Sequence, residues 1–160
     1  MKHIKLIIII LFLFLLQGCS FKDPKYIHFE EKEIPNFYIN EISSKLLNGE
    51  DFSMEIFNTN LYKRIKIDDS EKIVINNFIN SLADSNYLDN EKPITSESYE
   101  MRIVFKDEKY IIKVYNENIV TVFPWDGIYE EDLINMVNVP QRYNLMDFCK
   151  NIEQRINLTQ

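Results

Sequence analysis

Three apolar runs separated by two short turns constrain the fold of this chain most strongly. Apolar residues recur at every second position over 101–105 and over 110–114, and residues 119–123 carry β-branched side chains on both faces. A period of two is typical of β-strands. The polar turns at 107–108 and 116–118 are short, and short turns join neighbouring antiparallel strands. The segment therefore predicts an antiparallel meander whose third strand is an interior one.

Further strands and helices are predicted on either side of this meander. Two strands fall within 52–67, and residues 129–137 favour a fourth strand over a helical turn. Apolar residues at helical spacing predict three helices, over 39–46, 75–82 and 145–156. Strands followed by a helix, twice along the chain, indicate an α+β fold in which helices pack on one face of an antiparallel sheet that includes the 99–123 meander.

Residues at the helix ends predict where each helix begins or stops. Gly49 lies where a left-handed residue ends the first helix. Asp68 or Ser70, together with Glu71, has the spacing of a cap for the second helix. Pro140 is expected to open the last helix.

The N-terminus has the pattern of a secretory leader. Lys2 and Lys5 precede an unbroken apolar run over 6–16, which is shorter than the roughly 20 residues that a transmembrane helix needs. Gly18-Cys19 follows directly and resembles the lipobox of bacterial lipoproteins, in which the cysteine is acylated and becomes the new N-terminus. The alternatives are an ordinary secretory signal or an uncleaved anchor.

The predicted domain organisation follows from this leader. Residues 1–18 form the signal peptide, residues 19–35 a charged tether, and residues 36–160 a single α+β domain. A lipid on Cys19 would hold the domain on the outer face of the cytoplasmic membrane. Abundant Ile and Asn, with one Ala and three Gly, indicate AT-rich codons and a low-GC Gram-positive host.

The acidic balance of the chain excludes several kinds of partner. The net charge is −7, and it becomes −9 when Lys2 and Lys5 leave with the signal peptide. Nucleic acid and anionic lipid surfaces would repel such a domain. We therefore expect no nucleic-acid partner.

The residues that enzymes use most often are scarce here. The mature chain has one histidine, His28, within the predicted tether, and its glycines are too dispersed for a phosphate-binding loop. Cys149 lies on the apolar stripe of the last helix, which indicates a buried side chain rather than a nucleophile. Adjacent acids at 130–132 indicate a solvated charge run rather than a cation site. No catalytic residue, metal or cofactor is predicted.

One loop stands out as a candidate binding site. It carries Trp125, the only tryptophan, with Asp126 and Tyr129, and with Pro124 and Gly127 in the same turn. Aromatic rings on a stiff turn are suited to contact a sugar, a peptide or a partner protein. The alternative is that Trp125 folds back and closes one end of the core.

The whole chain resembles a family of small uncharacterised lipoproteins of Gram-positive anaerobes, classed as a domain of unknown function. The resemblance rests on the Leu16–Cys19 start, the helix ending Asn77–Leu82, the strand leading into Phe123–Gly127, and the ending Tyr143–Cys149. It implies a membrane-anchored α+β domain and brings no catalytic residue.

Three classes of function remain open at this point. The first is a non-catalytic module that binds an envelope protein, peptide or glycan, and we favour it. The second is an inhibitor of an extracellular hydrolase. The third is an enzyme that works with carboxylates alone, for which a cleft with two facing acids of raised pKa would be evidence.

Overall fold

In the residues that the structure describes, a seven-stranded antiparallel sheet with three α-helices on one face forms the domain, which confirms the predicted α+β fold. The computed structural model describes residues 32–88, 93, 95–125 and 129–158. The strands are β1 (Ser53–Asn58), β2 (Lys63–Lys66), β3 (Tyr87–Leu88), β4 (Tyr99–Val104), β5 (Lys109–Val114), β6 (Ile119–Pro124) and β7 (Asp132–Asn135). The helices are α1 (Phe37–Leu47), α2 (Ile73–Asn80) and α3 (Leu145–Leu158).

The predicted meander forms the centre of the sheet. The strand order is β2-β1-β4-β5-β6-β7-β3, and every neighbouring pair is antiparallel. Strand β6 is interior, as expected, and the fourth strand predicted within 129–137 is β7. Strand β3 was not predicted, because the segment around Tyr87 and Leu88 has the composition of a polar loop.

The core lies between the sheet and the helices. The inward side chains of β4 and β5 alternate with outward ones, and Met101, Ile103 and Ile112 are fully buried. Helix α1 contributes Ile39 and Ile42 to the same cluster. Burying a large aliphatic side chain stabilises a fold by about 1.5–3 kcal/mol. The packing of these side chains therefore holds the helices against the sheet.

Two of the three helix-end predictions are wrong. Gly49 has φ = +71°, which confirms the left-handed end of α1. Residues Asp69–Glu71 form a 3-10 turn before α2, and no side chain caps that helix. At α3, Pro140 precedes another 3-10 turn, and the Oδ1 atom of Asn144 accepts the bond from Met146 N at 3.0 Å that begins the helix.

Candidate functional site

A groove lined by aromatic and acidic side chains lies between helix α1 and the adjacent ends of β5 and β6. It has a volume of about 610 Å³, which is in the range of small-ligand sites. We call it the aromatic groove and define it by Phe37, Glu41, Tyr110, Trp125 and Tyr129. Two of the three predicted binding residues, Trp125 and Tyr129, therefore lie in one place.

Trp125 is a surface residue and does not close the core. Its side chain is 72% exposed. Its backbone N–H donates to the carbonyl of Lys109 at 3.0 Å, which continues the pairing of β5 with β6 beyond Pro124. The ring is therefore presented to solvent from a backbone that the sheet holds in place. The third predicted residue, Asp126, lies outside the described residues.

Tyr129 is half-buried and is fixed by helix α1. The hydroxyl of Tyr38 donates to the carbonyl of Tyr129 at 3.1 Å and accepts from its backbone N–H at 3.0 Å. The ring of Tyr129 packs against that of Phe37, with centroids 4.8 Å apart. Burial raises the pKa of Tyr38, so its hydroxyl stays protonated and able to donate. This arrangement makes one wall of the groove rigid.

The groove also carries two carboxylates that meet at one hydroxyl. The Tyr110 hydroxyl lies 2.6 Å from Oε2 of Glu108 and 3.2 Å from Oε2 of Glu41. A phenol has a single proton to donate, so both bonds cannot be made fully at once. Glu108 also pairs with Lys45 at 3.0 Å.

The two carboxylates have pKa values displaced in opposite directions. Burial raises the pKa of Glu41, and the nearby charge of Glu108 adds to this effect, while the bond from Tyr110 opposes it. The bonds from Tyr110 and Lys45 lower the pKa of Glu108. Of these two carboxylates, Glu41 is therefore the one whose charge is less well satisfied within the protein.

The sequence analysis did not identify Glu41 and Glu108 as site residues. Glu41 lies on α1 between buried Ile39 and Ile42, and residues 107–108 were interpreted only as a turn. The one sequence feature that points to Glu41 is its position immediately next to the apolar stripe of a short helix.

The other candidate residues have structural roles in the described part of the chain. Cys149 is a free thiol with no exposed surface, and burial raises its pKa. The acids at 130–132 are not a solvated run, because Asp132 is fully buried against Lys32 and Glu131 pairs with Lys113 at 3.2 Å. Within the described residues, no group of three or more His, Cys, Asp and Glu side chains is placed to hold a metal ion. Cys19 and His28 lie outside them.

The fold and the groove define a small α+β domain that presents an exposed aromatic side chain beside carboxylates. Residues 32–149 match the family model of a domain of unknown function, DUF4883, and the chain belongs to that family. This confirms the resemblance inferred from the sequence.

Comparison with solved structures gives the same fold. The crystal structure of a candidate lipoprotein from Clostridium perfringens superposes with a TM-score of 0.71 at 24% identity, covering 77% of this chain and 98% of that one. No curated protein matches this chain. None of the helices in the described residues has the length and apolarity to cross a bilayer.

Proposed function

We propose that this protein is a non-catalytic binding module of the cell envelope, and that the aromatic groove is its recognition surface. One observation carries the proposal: Trp125 is 72% exposed while its backbone is bonded into the end of the sheet. A large ring that is already held in place loses little conformational entropy when a partner covers it. Such anchors dominate binding energy at many interfaces.

The same proposal places the domain on the outer face of the cytoplasmic membrane through a lipid on Cys19. The basic residues, the apolar run and Gly18-Cys19 at the N-terminus support it. The name of the Clostridium perfringens relative as a candidate lipoprotein is consistent with it. Mass spectrometry of the native protein tests the anchor, because we expect an acylated Cys19 at the N-terminus. Any other N-terminus would overturn this part of the proposal.

The binding role is tested with the full chain and two aromatic variants. Envelope material of the producing cell is separated into protein and glycan fractions, and saturable binding to each fraction is measured. Trp125→Ala should weaken binding about tenfold or more. Tyr62→Ala removes another highly exposed ring, next to the edge strand β2, and should leave binding unchanged. Equal binding by Trp125→Ala and wild type would contradict the proposal.

A carboxylate-only enzyme is the second candidate, and one observation favours it. Glu41 and Glu108 lie in the same groove, share the Tyr110 hydroxyl, and have pKa values displaced in opposite directions. Such a separation is typical of acid and base pairs. Hydrolysis of an envelope glycan or peptide by the wild type, abolished in both Glu41→Gln and Glu108→Gln, would replace the binding role with this one.

A further inference from the structure

We propose that the aromatic groove takes a basic peptide segment, with an arginine side chain of the partner between the ring of Trp125 and the carboxylate of Glu41. This inference rests on the proposed function, because it names the chemistry of the partner for the same groove. A guanidinium group stacks on aromatic faces and donates to carboxylates in one plane, so a single arginine can use both features.

The charges around the groove favour a cation. Glu41, Asp107 and Glu108 line it, against one lysine, Lys109. Lys45 lies 3.0 Å from Glu108 and 3.7 Å from Glu50, so its charge is shared mainly between these two carboxylates. Its attraction also acts on Glu41, but burial still leaves the pKa of Glu41 raised. The whole chain has a net charge of −7, which attracts cationic partners over longer distances.

Of the two carboxylates at Tyr110, Glu41 is the one that a cation would stabilise more. Among the described residues, no lysine or arginine forms an ion pair with it, and its one hydrogen-bond donor, Tyr110, lies closer to Glu108. Burial raises the pKa of Glu41, which means that its ionised form has lost hydration without a full replacement. A guanidinium group at this position would restore the lost interaction.

The remaining surface of the groove fits a peptide better than a sugar. Sugar hydroxyls need free donors and acceptors, but the Tyr38 hydroxyl and the backbone of Tyr129 are bonded to each other. The Tyr110 hydroxyl is occupied by the two carboxylates. Phe37 and Trp125 add apolar surface to the groove, which suits an apolar residue next to the arginine.

The test uses fluorescence of the full lipidated chain in detergent micelles. Trp125 is the only tryptophan in the sequence, so its emission reports on the groove directly. The probes are N-acetyl-Leu-Arg-Leu-Arg-amide, the same peptide with citrulline in place of arginine, and a tetramer of glucosamine. Citrulline keeps the shape of arginine and removes its charge. We expect the arginine peptide to shift the emission saturably and to bind about tenfold or more tightly than the citrulline peptide.

Two matched variants locate the interaction. Glu41→Gln should weaken binding of the arginine peptide about tenfold, while its melting temperature stays at or above that of the wild type because a partly buried charge is removed. Glu117→Gln makes the same chemical change in the exposed turn at the far end of β5 and β6, and should bind like the wild type. The citrulline comparison needs no variant, so it decides the charge requirement even if Glu41→Gln folds poorly.

The other outcomes overturn the inference in distinguishable ways. Equal binding of the arginine and citrulline peptides would show that charge plays no role, and binding of the glucosamine tetramer alone would replace the peptide with an amino sugar. Both results would leave the groove as a binding site and the proposed function intact. If none of the three probes changes the emission, the inference is wrong, and the binding of envelope fractions by Trp125→Ala decides the proposed function separately.

Discussion

The Nζ atom of Lys32 lies 2.9 Å from Oδ1 of Asp132, a carboxylate with no exposed surface at the start of β7. The other carboxylate oxygen accepts from the backbone N–H of Ile39 at 2.8 Å. Lys32 also donates to the carbonyl of Glu131 at 2.9 Å. Lys32, which precedes helix α1, and Ile39 within that helix are therefore both bonded to Asp132, which ties the helix to strand β7.

The Asp132 contact predicts an unusual pH dependence of stability. Burial raises the pKa of Asp132 to about 6, because the bonds from Lys32 and Ile39 do not fully compensate for lost hydration. The native state then holds the proton more tightly than the unfolded chain, whose carboxyl has its ordinary pKa near 3.8. This group should therefore increase the free energy of unfolding by about 2 kcal/mol as the pH falls from about 7 to about 4.

Chemical denaturation of the wild type and Asp132→Asn across this pH range isolates the effect. Asparagine keeps an oxygen that can accept from Ile39 but does not titrate. The variant should gain stability relative to the wild type as the pH rises through about 6. A stability difference that does not change with pH would contradict the prediction.

A second prediction concerns the attachment of α3 to the sheet. The carboxylate of Glu153 accepts from Asn58 Nδ2 at 3.1 and 3.0 Å and from the Tyr99 hydroxyl at 2.7 Å. Asn58 is buried, so loss of its partner leaves an amide without full compensation. Glu153→Ala should lower the free energy of unfolding by about 1–3 kcal/mol. In a double-mutant cycle, Tyr99→Phe should cost less in the Glu153→Ala background than in the wild type, and strictly additive costs would refute the coupling.

The central strands could be predicted because their pattern is long and regular. The strands β4, β5 and β6 have six residues each, and their inward side chains follow the period of two that the sequence displays. Strand β3 has only two residues, too few for any period, and it exists because Tyr87 and Leu88 pair with β7. The free edge of β7, with which β3 pairs, is a tertiary feature that cannot be predicted from the local sequence.

The positions of Glu41 in the groove and of the buried Asp132 could not be predicted, because each depends on partners that are distant in sequence. Three adjacent acids at 130–132 indicate exposure, yet a strand turns Asp132 inward, where Lys32 meets it. Glu41 becomes part of the groove only because α1 packs beside Tyr110 and the turn that holds Glu108. Trp125 could be identified from sequence because its residue type, rather than its partners, made it a candidate.

A third prediction concerns Cys149, which the sequence placed on the apolar stripe of α3. The thiol has no exposed surface, and burial raises its pKa, so little thiolate is present to react. A thiol reagent should modify it slowly in the folded protein and rapidly after denaturation. Mass spectrometry at timed intervals measures both rates. Fast modification without denaturant, or an interchain disulfide on a non-reducing gel, would show an accessible thiol instead.

The last prediction separates a surface role of Trp125 from a structural one. Because most of its ring is exposed, Trp125→Ala should change the free energy of unfolding by less than about 0.5 kcal/mol, and the melting temperature by no more than about 2 °C. Phe78→Ala provides the comparison, since that ring is fully buried and its loss should cost about 3–5 kcal/mol. Iodide should quench the emission of the wild type, and addition of the arginine peptide should protect it. A blue-shifted emission that iodide does not quench would mean that the ring is buried in solution, and the groove could not then be the recognition surface.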